Sequence, residues 1–78
     1  MDVEKLLRFC LEKLVDNPQA LSITRTEDSE RIVFEVKVSL DDRARVIGKE
    51  GRTFKALRAL INLPVEGNPY DLVIETAT

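Results

Sequence analysis

The 78-residue sequence predicts an α+β fold in the order helix, strand, strand, helix, helix, strand. Three observations carry that expectation. Apolar residues recur at helical spacing between Val3 and Leu14, they alternate with polar ones between Ile32 and Leu40, and two short amphipathic stretches meet at Gly48-Lys49-Glu50-Gly51 ahead of a last alternating run.

The first helix is expected from about Asp2 to Asp16, with Val3, Leu6, Leu7, Cys10, Leu11 and Leu14 along one face and Asn17-Pro18 as its stop. Phe9 lies off that stripe, so its ring is expected to be half-exposed, to sit over the sheet edge, or to be covered by another chain. Leu21 and Ile23 alternate with Ser22 and Thr24 in a short strand, and Glu27-Asp28-Ser29-Glu30 reads as the turn of a hairpin. In the next strand Ile32, Phe34, Val36, Val38 and Leu40 share one face. Ser39 with Asp42 three residues on has the form of a capping box, which opens a helix through Ile47 that Gly48 closes in a left-handed conformation. A further helix starts near Gly51 or Arg52 with Phe54, Leu57, Leu60 and Ile61 turned to the sheet. Pro64, Gly67 and Pro69 punctuate a loop, and Tyr70, Leu72 and Ile74 alternate with Asp71 and Glu75 in the final strand.

A chain of this length has surface for one hydrophobic core, so residues 1–78 are expected to form one domain, and its thin stability margin favours dimerisation. The opening stretch MDVEKLLRFCLEKL mixes charges with apolar residues and holds no run that a signal peptide or membrane span needs. The expectation is a soluble, cytoplasmic protein with no membrane partner. A lone cysteine, Cys10, cannot form an internal disulfide or a cysteine metal cluster, and no histidine is present to act as general base or ligand. Asp41-Asp42 at a helix start is explained by capping and the helix dipole, and Asp71 and Glu75 by the wet face of a strand. No cofactor, small-molecule substrate or catalytic residue is therefore expected: the protein reads as a non-enzyme.

The formal net charge is −2, but its distribution is uneven. Between Arg43 and Arg58 stand six bases, Arg43, Arg45, Lys49, Arg52, Lys55 and Arg58, against one acid, Glu50. Charges gathered in this way act on a partner within a Debye length, about 8 to 10 Å at moderate salt, where the global sum matters little. The bases surround the two glycines. Backbone N–H groups at a helix start attract anions, and glycines leave the main chain open to approach. With positive potential extending to both sides, a phosphodiester strand suits this site better than a single phosphate. The string GKEGRT has neither the spacing of a Walker loop nor the first glycine of a dinucleotide-binding fingerprint.

Val46-Ile47-Gly48-Lys49-Glu50-Gly51 followed by Phe54 and Leu57 resembles the KH signature, V-I-G-x-x-G with apolar residues three and six positions after the second glycine. The element order resembles that of the type II KH fold, and the resemblance covers nearly the whole chain. With its opening amphipathic helix ending at Val15-Asp16-Asn17-Pro18, the sequence is similar to the small bacterial single-KH proteins of the KhpA family. The resemblance implies a three-stranded mixed sheet with three helices packed on one face. It implies single-stranded RNA as partner, gripped along its backbone by Gly48, Lys49, Glu50 and Gly51, with Arg52 and Lys55 near the phosphates. Arg45 adds charge, and Ala44, Ile47 and Thr53 are the expected groove walls, although Val46 and Ile47 are equally open to a core role. A homodimer, or a heterodimer with a second KH-domain protein, is also implied, as is service as a post-transcriptional regulator or RNA chaperone of low sequence specificity. Glu50 departs from the neutral or basic residues of tightly binding KH loops: at about 5 Å from a phosphate it costs roughly 1–3 kcal/mol before screening, for an effective dielectric of about 20–80. The alternative is a KH-like scaffold for protein partners that binds RNA weakly or not at all.

Overall fold

The computed structural model describes residues 2–63 and 70–76. Helix α1 spans Val3–Leu14, strands β1 and β2 span Ser22–Glu27 and Ile32–Val38, helices α2 and α3 span Leu40–Ile47 and Arg52–Ile61, and strand β3 spans Tyr70–Thr76. Single turns of 3₁₀ helix stand at Pro18–Ala20 and Lys49–Gly51. The loop expected around Pro64, Gly67 and Pro69 lies outside the described residues.

The central strand is β2. It pairs antiparallel with β1, placing Ile23 opposite Val36, and parallel with β3, placing Phe34 opposite Leu72. The sheet is therefore mixed, as the hairpin and the two-helix crossover require. Ile32, Phe34, Val36 and Val38 turn to one face and are buried there with Leu72. Val3, Leu7 and Leu11 of α1, Val46 of α2, and Leu57 and Ile61 of α3 close that face as one core. Burying side chains of this kind stabilises a fold by about 1.5–3 kcal/mol each, so the contiguous core dominates the energetics. Tyr70 stacks on Phe34 with ring centroids 5.5 Å apart, and Cys10 is half-buried against the same core.

Local chemistry sets the boundaries. The Asp2 carboxylate caps α1 by accepting the Lys5 amide. The hairpin turn lies one residue later than expected, because β1 runs through Glu27 and Asp28 accepts the amides of both Glu30 and Arg31. The expectation that β2 continues to Leu40 is corrected: the Ser39 hydroxyl accepts the Asp42 amide, α2 begins, and Leu40 is helical and 72% exposed. At the far end of α3, the Asn62 side chain donates to the carbonyls of Arg58 and Tyr70 and accepts the Tyr70 amide, tying the helix to the start of β3. Phe9 is 60% exposed, with the Lys13 ammonium 5.2 Å from its ring centroid.

Candidate nucleic-acid interface

The turn between α2 and α3 is built from three successive departures from ordinary backbone. Gly48 has φ +79° and ψ 172°, Glu50 φ +57° and Gly51 φ +74°. Gly48 therefore ends α2 not in the left-handed helical region the sequence predicted but in a mirror-image extended region that is essentially restricted to glycine. A Cβ there would also collide with Thr53 Oγ1 and lie 2.8 Å from Thr53 Cβ and 2.9 Å from its amide nitrogen. At Gly51 the space is open, with Lys55 Cε at 4.0 Å, and the positive φ alone favours glycine.

These departures fold the loop onto itself. The Gly48 amide donates to Ala44 O at 2.8 Å, the Gly51 amide to Gly48 O at 3.1 Å, and the Arg52 amide to Lys49 O. The open main-chain corner expected from the sequence is thus narrower than expected, since three of its amides serve the protein's own turn. The Lys49 and Glu50 amides are not among these bonds, and both residues are exposed.

The expected site residues divide into those the fold gathers and those it does not. Thr53 rests on Gly48, Lys55 lies over Gly51, and Arg52 is one helical step from Lys55 at i, i+3. Of the adjacent Val46-Ile47 pair, Val46 is the core residue, wholly buried. Ile47 is half-buried and does not belong to the core cluster. Exposed Ala44 lies one turn earlier on the same side of α2.

Arg45 is paired away from the loop. Its guanidinium lies 2.8 Å from the Asp16 carboxylate and 3.8 Å from that of Asp42, so α2 directs it to the end of α1 rather than to the loop. Arg58, expected to extend the positive field, lies 3.5 Å from Asp71, which Arg31 also meets at 3.1 Å. Arg52 contacts Glu50 at 3.4 Å. Lys49, Lys55 and Arg43 enter no ion pair among the described residues.

Sequence reasoning missed Asp42 as more than a cap. The Ser39 half of the capping box forms, but the Asp42 carboxylate does not accept the Ser39 backbone amide. It is wholly buried and accepts the Asp16 amide at 3.0 Å, the Asn17 amide at 2.9 Å and the Asn17 side-chain amide at 3.2 Å. The Asp16 amide, followed by those of Asn17 and the Ser39 hydroxyl, holds this carboxyl below its usual range against the opposing effect of burial. The signal for it was present: Asp16 and Asn17 follow a terminated helix and precede a proline, so their amides lack helical partners.

A cavity of about 360 Å³ opens elsewhere, against the start of α1, with Asp2, Glu4, Arg25 and Tyr70 in its lining. Its acids oppose a polyanion, and no loop residue borders it. Among the described residues no acidic or sulfur cluster could hold a metal ion, and no helix is long and apolar enough to cross a membrane.

An α-β-β-α-α-β order on a three-stranded mixed sheet, with G-x-x-G between the paired helices, defines a type II KH-like fold. The family model described as "KhpA/KhpB, KH domain" matches residues 4–74. An RNA-binding protein KhpA of Caldanaerobacter subterraneus is 37% identical over 71 residues, covering 91% of this chain and 95% of the relative. Its namesake in Listeria monocytogenes is 39% identical over 59 residues, 76% of this chain and 78% of the relative. That of Chlamydia pneumoniae is 36% identical over 59 residues, 76% of each. No solved structure gives a significant match. The chain belongs to the KhpA/KhpB family of KH domains.

Proposed function

We propose that this protein is a non-catalytic RNA-binding protein that holds the backbone of single-stranded RNA at the Gly48–Gly51 turn with little sequence preference. The observation that carries the reading is the juxtaposition at that turn of two amides outside its internal hydrogen bonds with Lys49 and Lys55, which enter no ion pair among the described residues. Phosphates pass over the Lys49 and Glu50 amides and meet Lys49, Lys55 and Arg52, while bases lie toward Ala44, Ile47 and Thr53. The three relatives described above are all named RNA-binding proteins, and that agrees with the chemistry.

Few phosphates are met by one domain, and three of the four aromatic rings are committed elsewhere, Phe34 and Tyr70 stacking in the core and Phe54 packing against it, while exposed Phe9 stands on α1 and not on the loop. Affinity is accordingly weak and salt-dependent, and pairing with a second KH domain, in a homodimer or with a different KH protein, raises it through effective concentration. Such a binder acts on many transcripts, as a post-transcriptional regulator or RNA chaperone.

Replacing both Lys49 and Glu50 by Asp tests the reading. The double variant keeps its circular dichroism, since both residues are exposed and aspartate tolerates the left-handed backbone of position 50. It loses binding to a labelled single-stranded oligonucleotide at fixed salt. Unchanged affinity would reject the proposal and favour a scaffold that serves protein partners.

A further inference from the structure

We infer that Glu50 is an internal competitor of RNA that holds Arg52 in reserve and thereby sets both the affinity and the salt dependence of the loop. The inference rests on the RNA reading above and concerns the regulation of that same site. Glu50 Oε2 lies 3.4 Å from Arg52 Nη2, and the two residues flank Gly51, where the chain turns into α3. A carboxylate at that distance converts the guanidinium from an isolated cation into half of a dipole, whose field falls off far faster with distance. An approaching phosphate must displace the carboxylate or accept its repulsion.

The backbone makes this acid's presence informative. Glu50 is the non-glycine residue of positive φ among those described, at +57°. Asparagine, aspartate or glycine occupies that conformation with less strain. No carboxylate contact compensates from elsewhere: the bond to Arg52 is the side-chain hydrogen bond that Glu50 makes among the described residues. Lys49 and Lys55 are free of ion pairs there, so two cations are always available to an RNA and a third becomes available only when Glu50 yields. A loop so arranged binds transiently at physiological salt and lets go of one strand for another.

The test is a double-mutant cycle on the full chain, using a fluorescein-labelled twelve-nucleotide oligouridine and anisotropy titrations at several salt concentrations. Glu50→Gln keeps the size of the side chain and removes its charge. It is expected to tighten binding by about 3- to 10-fold at low salt, the range set by an exposed ion pair together with a nearby like charge. The slope of log K against log salt becomes more negative by about 0.7, as one added phosphate contact on a single strand requires. Arg52→Gln costs affinity in both backgrounds, and several-fold more in the Glu50→Gln background than in the wild type. Equal cost in both backgrounds would overturn the coupling through Arg52, and unchanged affinity of Glu50→Gln would overturn the inference while leaving the RNA reading intact. Failure of the wild type and of Glu50→Gln alike to bind the oligonucleotide at any salt would overturn both.

Discussion

The Asp42 carboxylate reaches from the first turn of α2 to the backbone of Asn17, whose amide it accepts at 2.9 Å. That bond, with its neighbour to Asp16, joins the end of α1 to the start of the helix that carries Gly48 at its other end. Through it the packing of α1 helps to set where the loop stands.

Asp42→Asn leaves three donors, the Asp16 and Asn17 amides and the Asn17 side-chain amide, facing a side chain with one acceptor oxygen. A fall in Tm of about 5–15 °C is expected, since losing part of a buried hydrogen-bond set moves a domain of this size by several degrees. Calorimetry of the two proteins checks it.

The same carboxylate gives stability a pH dependence of known sign. Its folded pKa lies below the ordinary 3.8, first because the Asp16 amide donates to it, so its contribution is present above 3.8 and is lost as pH falls through the lower folded value. Asp28 is lowered too, chiefly by the Glu30 amide, and acts in the same direction. Urea midpoints measured from pH 6 downward should therefore drop below about pH 4, and Asp42→Asn should flatten that drop without abolishing it.

The two glycines of the loop are predicted to respond differently to the same change. Gly51→Ala faces only its positive φ, a cost of about 1–2 kcal/mol. Gly48→Ala adds a collision with Thr53 to a backbone region closed to side chains, and about 3–5 kcal/mol is expected. Urea denaturation of both variants should rank them in that order.

Variants of Arg45 and Lys55 are predicted to separate a structural cation from a binding one. Lys55→Gln should weaken RNA binding and make the slope of log K against log salt shallower by about 0.7. Arg45→Gln should change affinity less than Lys55→Gln does, because its guanidinium is held by Asp16. Parallel titrations at two salt concentrations measure the difference.

The Asn62 side chain makes three hydrogen bonds that fasten β3 to α3. Asn62→Ala should destabilise the protein by about 1–3 kcal/mol, and hydrogen exchange at Tyr70 should quicken.

These variants also mark where sequence reading succeeds. Burial on one face imposes a repeat of two on β2 and of about 3.6 on α1 and α3, so Phe34, Leu7 and Ile61 could be placed without coordinates. The glycine turn was readable for a similar reason, because few residues other than glycine accept its dihedral angles. Leu40 was misplaced since it continues the alternation of β2 by chance across a helix cap. Asp42, Arg45 and Arg58 depend on partners 13 to 29 positions away, and a one-dimensional pattern does not hold that information. Net charge in the basic segment was visible, but which of its cations remain free was a question of geometry.

The central claim is that the Gly48–Gly51 turn meets the RNA backbone. Titrating isotope-labelled protein with a single-stranded oligonucleotide while following its amide resonances tests that contact directly. The account predicts that the Lys49 and Glu50 amides shift most, followed by those of Ala44, Ile47, Thr53 and Lys55. Shifts concentrated on the open face of the sheet, at Glu35, Lys37 and Val73, with the Lys49 and Glu50 amides unmoved, would contradict it.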